Sequence, residues 1–101
     1  MGMDKKRILV VEDDPHLAEL IKERFTDEDF IAEIASDGEV GLHMIDTAPD
    51  LVLLDIMLPK VDGLTVLEKI REKGKWGERV PVIIVSNLNP DSDEILKATT
   101  V

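Results

Sequence analysis

Residues 51–63, LVLLDIMLPKVDG, join the most hydrophobic run of the chain to an acidic residue at its end. Four aliphatic residues lead directly into Asp55, and a short loop containing a proline follows. A short apolar run bounded by a turn signal is typical of a strand that is buried on both faces. The carboxylate at the end of this strand is therefore either a helix cap or part of a charged site.

Other segments of the same kind predict the rest of the fold. Ile8–Val11 and Val80–Val85 are further β-branched runs, and Phe30–Ala35 is a weaker one. Stretches with apolar residues at helical spacing separate them, and a last helix is predicted to start at Asn89-Pro90. The segment around Trp76, before the fourth strand, is predicted to be a loop, with the indole packed on the third helix. Strands that alternate with helices imply an α/β fold with a parallel sheet between two helical layers, a three-layer αβα sandwich.

The overall composition limits the possible functions. The chain has 101 residues, which predicts a single domain over 1–101, and its net charge of −10 disfavours nucleic acid and anionic membrane surfaces as partners. It has no cysteine, which excludes a disulfide framework and a thiolate metal site. No apolar run is long enough to span a bilayer, and the N-terminus lacks the pattern of a signal peptide. We therefore expect a cytoplasmic protein.

Polar residues follow three of the predicted strands. Glu12 and Asp13 come after the first strand, Asp55 ends the third, and Ser86 comes after the fourth. Because the carboxyl ends of parallel strands meet at one edge, where such sheets bind ligands, these groups should converge. Several carboxylates in one crevice repel each other unless a cation lies between them, and Mg²⁺ prefers oxygen ligands. The sequence therefore predicts a magnesium site at this edge.

Each acid also has a simpler interpretation as a helix cap. Asp14 stands directly before Pro15 at the start of a predicted helix, so a capping role alone is as plausible for it as a role in the site. For Asp55 the capping interpretation is weaker, since the next helix starts near Asp62-Gly63, and Asp62 is the better cap. The convergence of several acids and a hydroxyl is more specific than any single residue.

Three blocks of this sequence, ILVVEDDP, LVLLDIMLPKVDG and VPVIIVSN, resemble the motifs of receiver domains from two-component response regulators. They cover nearly the whole chain in the order and spacing of that family. The pattern Asp-x-x-x-Pro-x-x-Asp-Gly, formed by Asp55, Pro59, Asp62 and Gly63, is the most specific part. The resemblance implies a flavodoxin-like fold with sheet order 2-1-3-4 and, in the family, a fifth strand.

The resemblance also implies a function. Asp55 would be the phosphoacceptor, receiving a phosphoryl group from a phosphohistidine of a histidine kinase or phosphotransfer protein. Glu12, Asp13, Asp55 and the backbone carbonyl of Met57 would hold Mg²⁺, and the Ser86 hydroxyl would bind the phosphoryl oxygen as a switch. Such a domain transfers a signal rather than turning over a substrate. It would therefore not be an enzyme beyond Mg²⁺-dependent self-phosphorylation and dephosphorylation.

The sequence departs from the family pattern in several places. Asn87 stands where the family usually has a small residue, and no lysine matches the one on the family's fifth strand, since Lys97 lies in a predicted helix. We expect a domain without the fifth strand and fifth helix, in which the fourth strand is an exposed edge. Such an edge could pair with a second copy, giving a homo-oligomer or a segment-swapped dimer.

Two other functions remain as alternatives. One is a receiver-like scaffold or self-associating fragment that no longer signals by phosphorylation. The other, an aspartyl-phosphate phosphohydrolase, is disfavoured because Met57 stands where those enzymes have a second aspartate.

Overall fold

The computed structural model describes residues 5–85 and 98–100, and the side chains of 5–85. Its strands are β1 (Arg7–Val11), β2 (Ile31–Ala35), β3 (Leu51–Asp55), β4 (Val82–Val85) and β5 (Ala98–Thr100). Its helices are α1 (Pro15–Asp27), α2 (Gly38–Met44), α3 (Gly63–Arg71) and α4 (Gly74–Arg79), and a single 3-10 turn, Ile45–Thr47, follows α2. The helix predicted from Asn89 lies outside the described residues.

The strands form one sheet in the order β2-β1-β3-β4-β5, and the first four are parallel. This confirms the predicted α/β class and the flavodoxin-like order 2-1-3-4. Side chains alternate between the two faces of the sheet and form two buried clusters. The larger cluster includes Leu54, Val66 and Ile70 and lies under α2 and α3, whereas the smaller includes Val10 and packs against Ile21 and Phe25 of α1.

The prediction that β4 is an exposed edge is wrong. β5 pairs with it in antiparallel orientation, with Ile83 opposite Thr100 and Val85 opposite Ala98. An unpaired strand edge leaves backbone N–H and C=O groups without partners, and the chain's own C-terminal residues supply those partners here. The argument for a homo-oligomer or segment-swapped dimer through this edge therefore loses its premise.

The segment between α3 and β4 also differs from the prediction, because it contains α4 instead of a loop. Gly77 allows this helix to approach α3, since a Cβ there would overlap the carbonyl oxygen of Ile70. The Arg71 guanidinium donates to the carbonyl oxygens of Gly77 and Val80 at 2.9 and 2.7 Å. Trp76 packs against the core cluster that includes Val66 and Ile70 of α3, but it does so from a helix and not from the predicted loop.

Candidate functional site

The acidic residues predicted to converge lie together at the carboxyl ends of β1 and β3. The two strands are neighbours in register, with Val11 opposite Leu54, so that the residues following Val11 lie beside Asp55. One carboxylate oxygen from each of Glu12, Asp13 and Asp55 lies within 4.8 Å of the other two. A divalent cation contacts oxygen ligands at about 2.0–2.6 Å, so one ion could bridge oxygens at this spacing.

Asp14 is a helix cap and is not part of this cluster. Its side chain accepts hydrogen bonds from the backbone N–H groups of His16 and Leu17 at 2.9 and 3.3 Å, at the start of α1. Asp62 caps α3 in the same way, through the N–H of Thr65 at 3.0 Å. These contacts resolve the two interpretations of Asp14 and confirm that Asp62 is the cap of the third helix.

Burial makes the cluster electrostatically unusual. The residues Glu12 and Asp55 are each only 3% exposed, whereas Asp13 is exposed. Loss of hydration raises the pKa of Glu12 to about 7, and the charge of Asp55 adds to the increase. The backbone N–H of Asp14 opposes the increase, because it donates to the Glu12 carboxylate at 3.0 Å. Burial likewise raises the pKa of Asp55, and the neighbouring Asp13 raises it further. A hard cation bound through the carboxylate oxygens would offset the cost of ionising these buried acids.

The loop from Ile56 to Asp62 holds Asp55 in place. The backbone N–H of Met57 donates to Asp55 Oδ1 at 3.1 Å, which orients the carboxylate. At the other end of the loop, the N–H of Gly63 donates to the Ile56 carbonyl at 2.9 Å. A Cβ on Gly63 would overlap the carbonyl oxygen of Asp55, so a glycine is required for α3 to begin this close to the strand.

Two residues that join this loop to α2 were not assigned a role in the site from the sequence. Lys60, at the tip of this loop, has a φ of 70°, and its ammonium group lies 3.5 Å from Asp37 Oδ2 at the start of α2. A lysine between Pro59 and Asp62, where a turn would favour glycine, was the available signal. Ser86 and Asn87 lie outside the described residues, so the switch hydroxyl stays a prediction.

Comparison with known proteins agrees with this fold. The family model described as the response regulator receiver domain matches residues 8–101. The chain therefore belongs to the receiver domain family of two-component response regulators.

Individual relatives place the chain within this family. It is 42% identical over 90 residues to the transcriptional regulatory protein DltR of Streptococcus agalactiae, covering 88% of this chain and 39% of DltR. The response regulator TrrA of Thermotoga maritima, solved in complex with Mg²⁺ and BeF, is 36% identical with a TM-score of 0.75, covering 83% of this chain and 71% of TrrA. The receiver domain of sensor histidine kinase PA1611 from Pseudomonas aeruginosa was solved with a magnesium ion in its active site cleft. It is 28% identical to this chain with a TM-score of 0.77, and the match covers 95% of this chain and 80% of that domain.

The chain thus spans about 39% of the length of the full regulator DltR. None of the helices in the described residues is long and apolar enough to cross a membrane.

Proposed function

We propose that this domain accepts a phosphoryl group on Asp55 from a phosphohistidine of a histidine kinase or phosphotransfer protein, with Mg²⁺ bound at the carboxylate cluster. The observation that carries the proposal is the arrangement of Glu12, Asp13 and Asp55, whose oxygens lie within 4.8 Å of one another although two of the three side chains are buried. A fold that gained nothing from these acids would avoid burying two of them together, because each raises the cost of ionising the other.

Each residue has a distinct role in the transfer. Asp55 supplies the nucleophile: a carboxylate oxygen forms a bond to phosphorus while the phosphorus–nitrogen bond of the phosphohistidine breaks and the imidazole keeps the electron pair. The Met57 N–H holds Oδ1 at 3.1 Å and thereby fixes the plane of the attacking carboxylate. Mg²⁺, when bound, neutralises charge on the phosphoryl oxygens.

The cation would be held by the carboxylates of Asp13 and Asp55 and the backbone carbonyl of Met57, with Glu12 acting through a water molecule. Glu12 accepts from the Asp14 N–H, so its carboxylate is already oriented by the turn into α1. The Ser86 hydroxyl would bind the transferred phosphoryl group. The net charge of −10 gives no support for direct nucleic-acid binding by these residues.

Formation of an adduct on Asp55 tests the proposal. The protein is incubated with a small phosphodonor or beryllofluoride, with Mg²⁺ or with EDTA, and intact mass and Mg²⁺ binding are measured. We expect a covalent adduct with the phosphodonor only in Mg²⁺, its loss in Asp55→Asn, and its retention in Asp62→Asn, which removes a charge from a helix cap outside the cluster. A wild-type protein that binds no Mg²⁺ and forms no adduct would instead support the scaffold alternative.

A further inference from the structure

The β3–α3 loop is joined to the start of α2 by a contact that the proposed chemistry does not explain. The ammonium group of Lys60 lies 3.5 Å from Asp37 Oδ2, and the Lys60 side chain is half-exposed whereas that of Asp37 is 12% exposed. Asp37 is itself fixed, because its Oδ1 accepts from the N–H of Val40 at 2.9 Å as the N-cap of α2. Lys60 therefore pairs the loop with a carboxylate that is already held in place as the N-cap of α2.

The backbones of the two segments also touch at this point. The Gly38 N–H donates to the Pro59 carbonyl at 3.5 Å, and a Cβ on Gly38 would overlap the carbonyl oxygen of Val61. Within the loop, the Val61 N–H donates to the Pro59 carbonyl at 2.8 Å. The tip of the loop therefore rests against α2, while its two ends are held at Asp55 and Gly63.

The backbone conformation of Lys60 makes its ion pair informative. A φ of 70° lies in the left-handed region, where glycine has no steric penalty and a side chain has one. A lysine at this position keeps the strained conformation and places its ammonium group on Asp37. The ion pair offers a physical reason for a side chain at a position that the turn alone would leave to glycine.

We propose that the Lys60–Asp37 pair is a clamp that positions the loop carrying Met57, so that the Met57 carbonyl and the Asp55 carboxylate are held ready for Mg²⁺. Lys60 and Asp37 are positioning residues, since neither belongs to the carboxylate cluster. This inference rests on the proposed Mg²⁺ site. It goes beyond that site by assigning its organisation to a contact between the loop and α2.

The sign of one mutational effect separates this clamp from simple electrostatics. Removing a cation near an Mg²⁺ site should tighten Mg²⁺ binding through space, because one repulsive charge is lost. Loss of a clamp should instead weaken Mg²⁺ binding, by about two- to fivefold for an ion pair at this degree of exposure. Lys60→Gln therefore distinguishes the two effects, and Lys60→Arg, which keeps the charge, should retain wild-type affinity.

Isothermal titration calorimetry with Mg²⁺ provides the first measurement. We expect weaker binding in Lys60→Gln and in Asp37→Asn, which keeps a capping side chain, and no additional loss in the double variant. Lys69→Gln, which removes an exposed lysine of α3, is the matched control and should bind at least as tightly as wild type. Unchanged or tighter binding in Lys60→Gln, or additive losses in the double variant, would overturn the clamp.

Hydrogen exchange in EDTA tests the clamp independently of the metal. The Met57 amide, bonded to Asp55 Oδ1, should exchange severalfold faster in Lys60→Gln than in wild type or Lys60→Arg. Equal exchange rates would overturn the clamp even if Mg²⁺ binds. Absence of Mg²⁺ binding by the wild type together with faster exchange in Lys60→Gln would refute the proposed metal site while showing that the pair orders the loop.

Discussion

Replacing Asp13 with asparagine should stabilise the protein in the absence of divalent cations. The substitution removes one charge from a cluster whose oxygens lie within 4.8 Å and leaves the side chain nearly the same size. Two unit charges at that distance repel by about 3 kcal/mol at an effective dielectric constant of about 20, and by about 1 kcal/mol in water. Because Asp13 is exposed, the lower value describes each of its two interactions better.

We therefore expect Asp13→Asn to increase the free energy of unfolding by about 1–3 kcal/mol in EDTA at pH 8, which is above the raised pKa of Glu12. For a domain of this size, about 1 kcal/mol corresponds to a rise of about 4–8 °C in Tm. Saturating Mg²⁺ should reverse the order. The wild type gains about 2.7 kcal/mol when Mg²⁺ is present at 100 times its Kd, whereas the variant has lost a ligand.

Thermal and urea unfolding followed by circular dichroism, in EDTA and across an Mg²⁺ titration, measure both effects. Glu19→Gln removes one charge from an exposed position on α1 and controls for the overall charge of −10. A lower Tm of Asp13→Asn in EDTA would refute the repulsion argument, because it would mean that the Asp13 carboxylate makes favourable contacts that exceed its repulsion. An equal Mg²⁺ response in variant and wild type would refute its role as a ligand.

Three further predictions concern the pH dependence, the loop and the core. Because the pKa of Glu12 is raised to about 7, the folded state keeps a proton that the unfolded state releases near pH 4.5. The free energy of unfolding of the metal-free protein should therefore fall as pH rises from about 4.5 to about 7. Glu12→Gln should flatten this decline in urea titrations, and a wild-type stability that rises across this window would contradict the assigned shift. Gly63→Ala should lower the free energy of unfolding by about 3 kcal/mol or more, because the new Cβ overlaps the Asp55 carbonyl. Gly74→Ala should lower it by only about 1–2 kcal/mol, because Gly74 has a φ of 69° but open space around the Cβ position. Equal losses at the two glycines in chemical denaturation would refute this distinction. Ile70→Ala, at a fully buried position, should cost about 2–5 kcal/mol, and Leu64→Ala, at a 55% exposed position of the same helix, should change stability by less than about 0.5 kcal/mol. Trp76 fluorescence can follow unfolding in this pair, and similar midpoints would refute the assignment of the two faces of α3.

Most of the fold could be predicted because its signals are local. Continuous apolar runs give parallel strands that are buried on both faces, and an aspartate before Pro15 or before Gly63 marks the start of a helix. The helix α4 was missed because its six residues include two glycines and no apolar repeat. It is stabilised by contacts with α3 that are tertiary, such as the Arg71 hydrogen bonds to Gly77 and Val80. The pairing of β5 with β4 is also tertiary, and no local pattern in Ala98–Thr100 predicts it.

The sequence predicts which residues form the candidate site, but not how those residues differ in burial and hydrogen bonding. Glu12, Asp13 and Asp14 are consecutive acids, and the position of Asp14 before Pro15 makes it a candidate cap without excluding it from the site. The structure separates them through the hydrogen bonds of Asp14 to the first turn of α1. The burial of Glu12 and the exposure of Asp13 follow from how the chain leaves β1, which the sequence pattern does not specify.

Trp76 shows how this geometry affects the choice of assay. Its indole N–H donates to the Pro49 carbonyl at 2.8 Å, just before β3 begins, whereas Asp55 is the last residue of β3. A five-residue strand rises about 17 Å, so the indole and the carboxylate cluster lie at opposite ends of the sheet. Trp76 fluorescence therefore reports on unfolding better than on ligand binding, and intact mass or calorimetry is the more direct probe of the site.

The contacts of Asp55 connect the stability of the domain to its proposed chemistry. The residue is buried, and its Oδ1 is held by the backbone N–H of Met57. Burial gives the proposed nucleophile one orientation, but it also makes ionisation of the cluster costly unless a cation neutralises it. Because the loop that orients Asp55 also supplies the Met57 carbonyl, a change that loosens the loop should disturb the nucleophile and the cation site together. Variants of Lys60 and Asp37 separate these effects from global unfolding, since they act on the loop without removing a residue of the cluster.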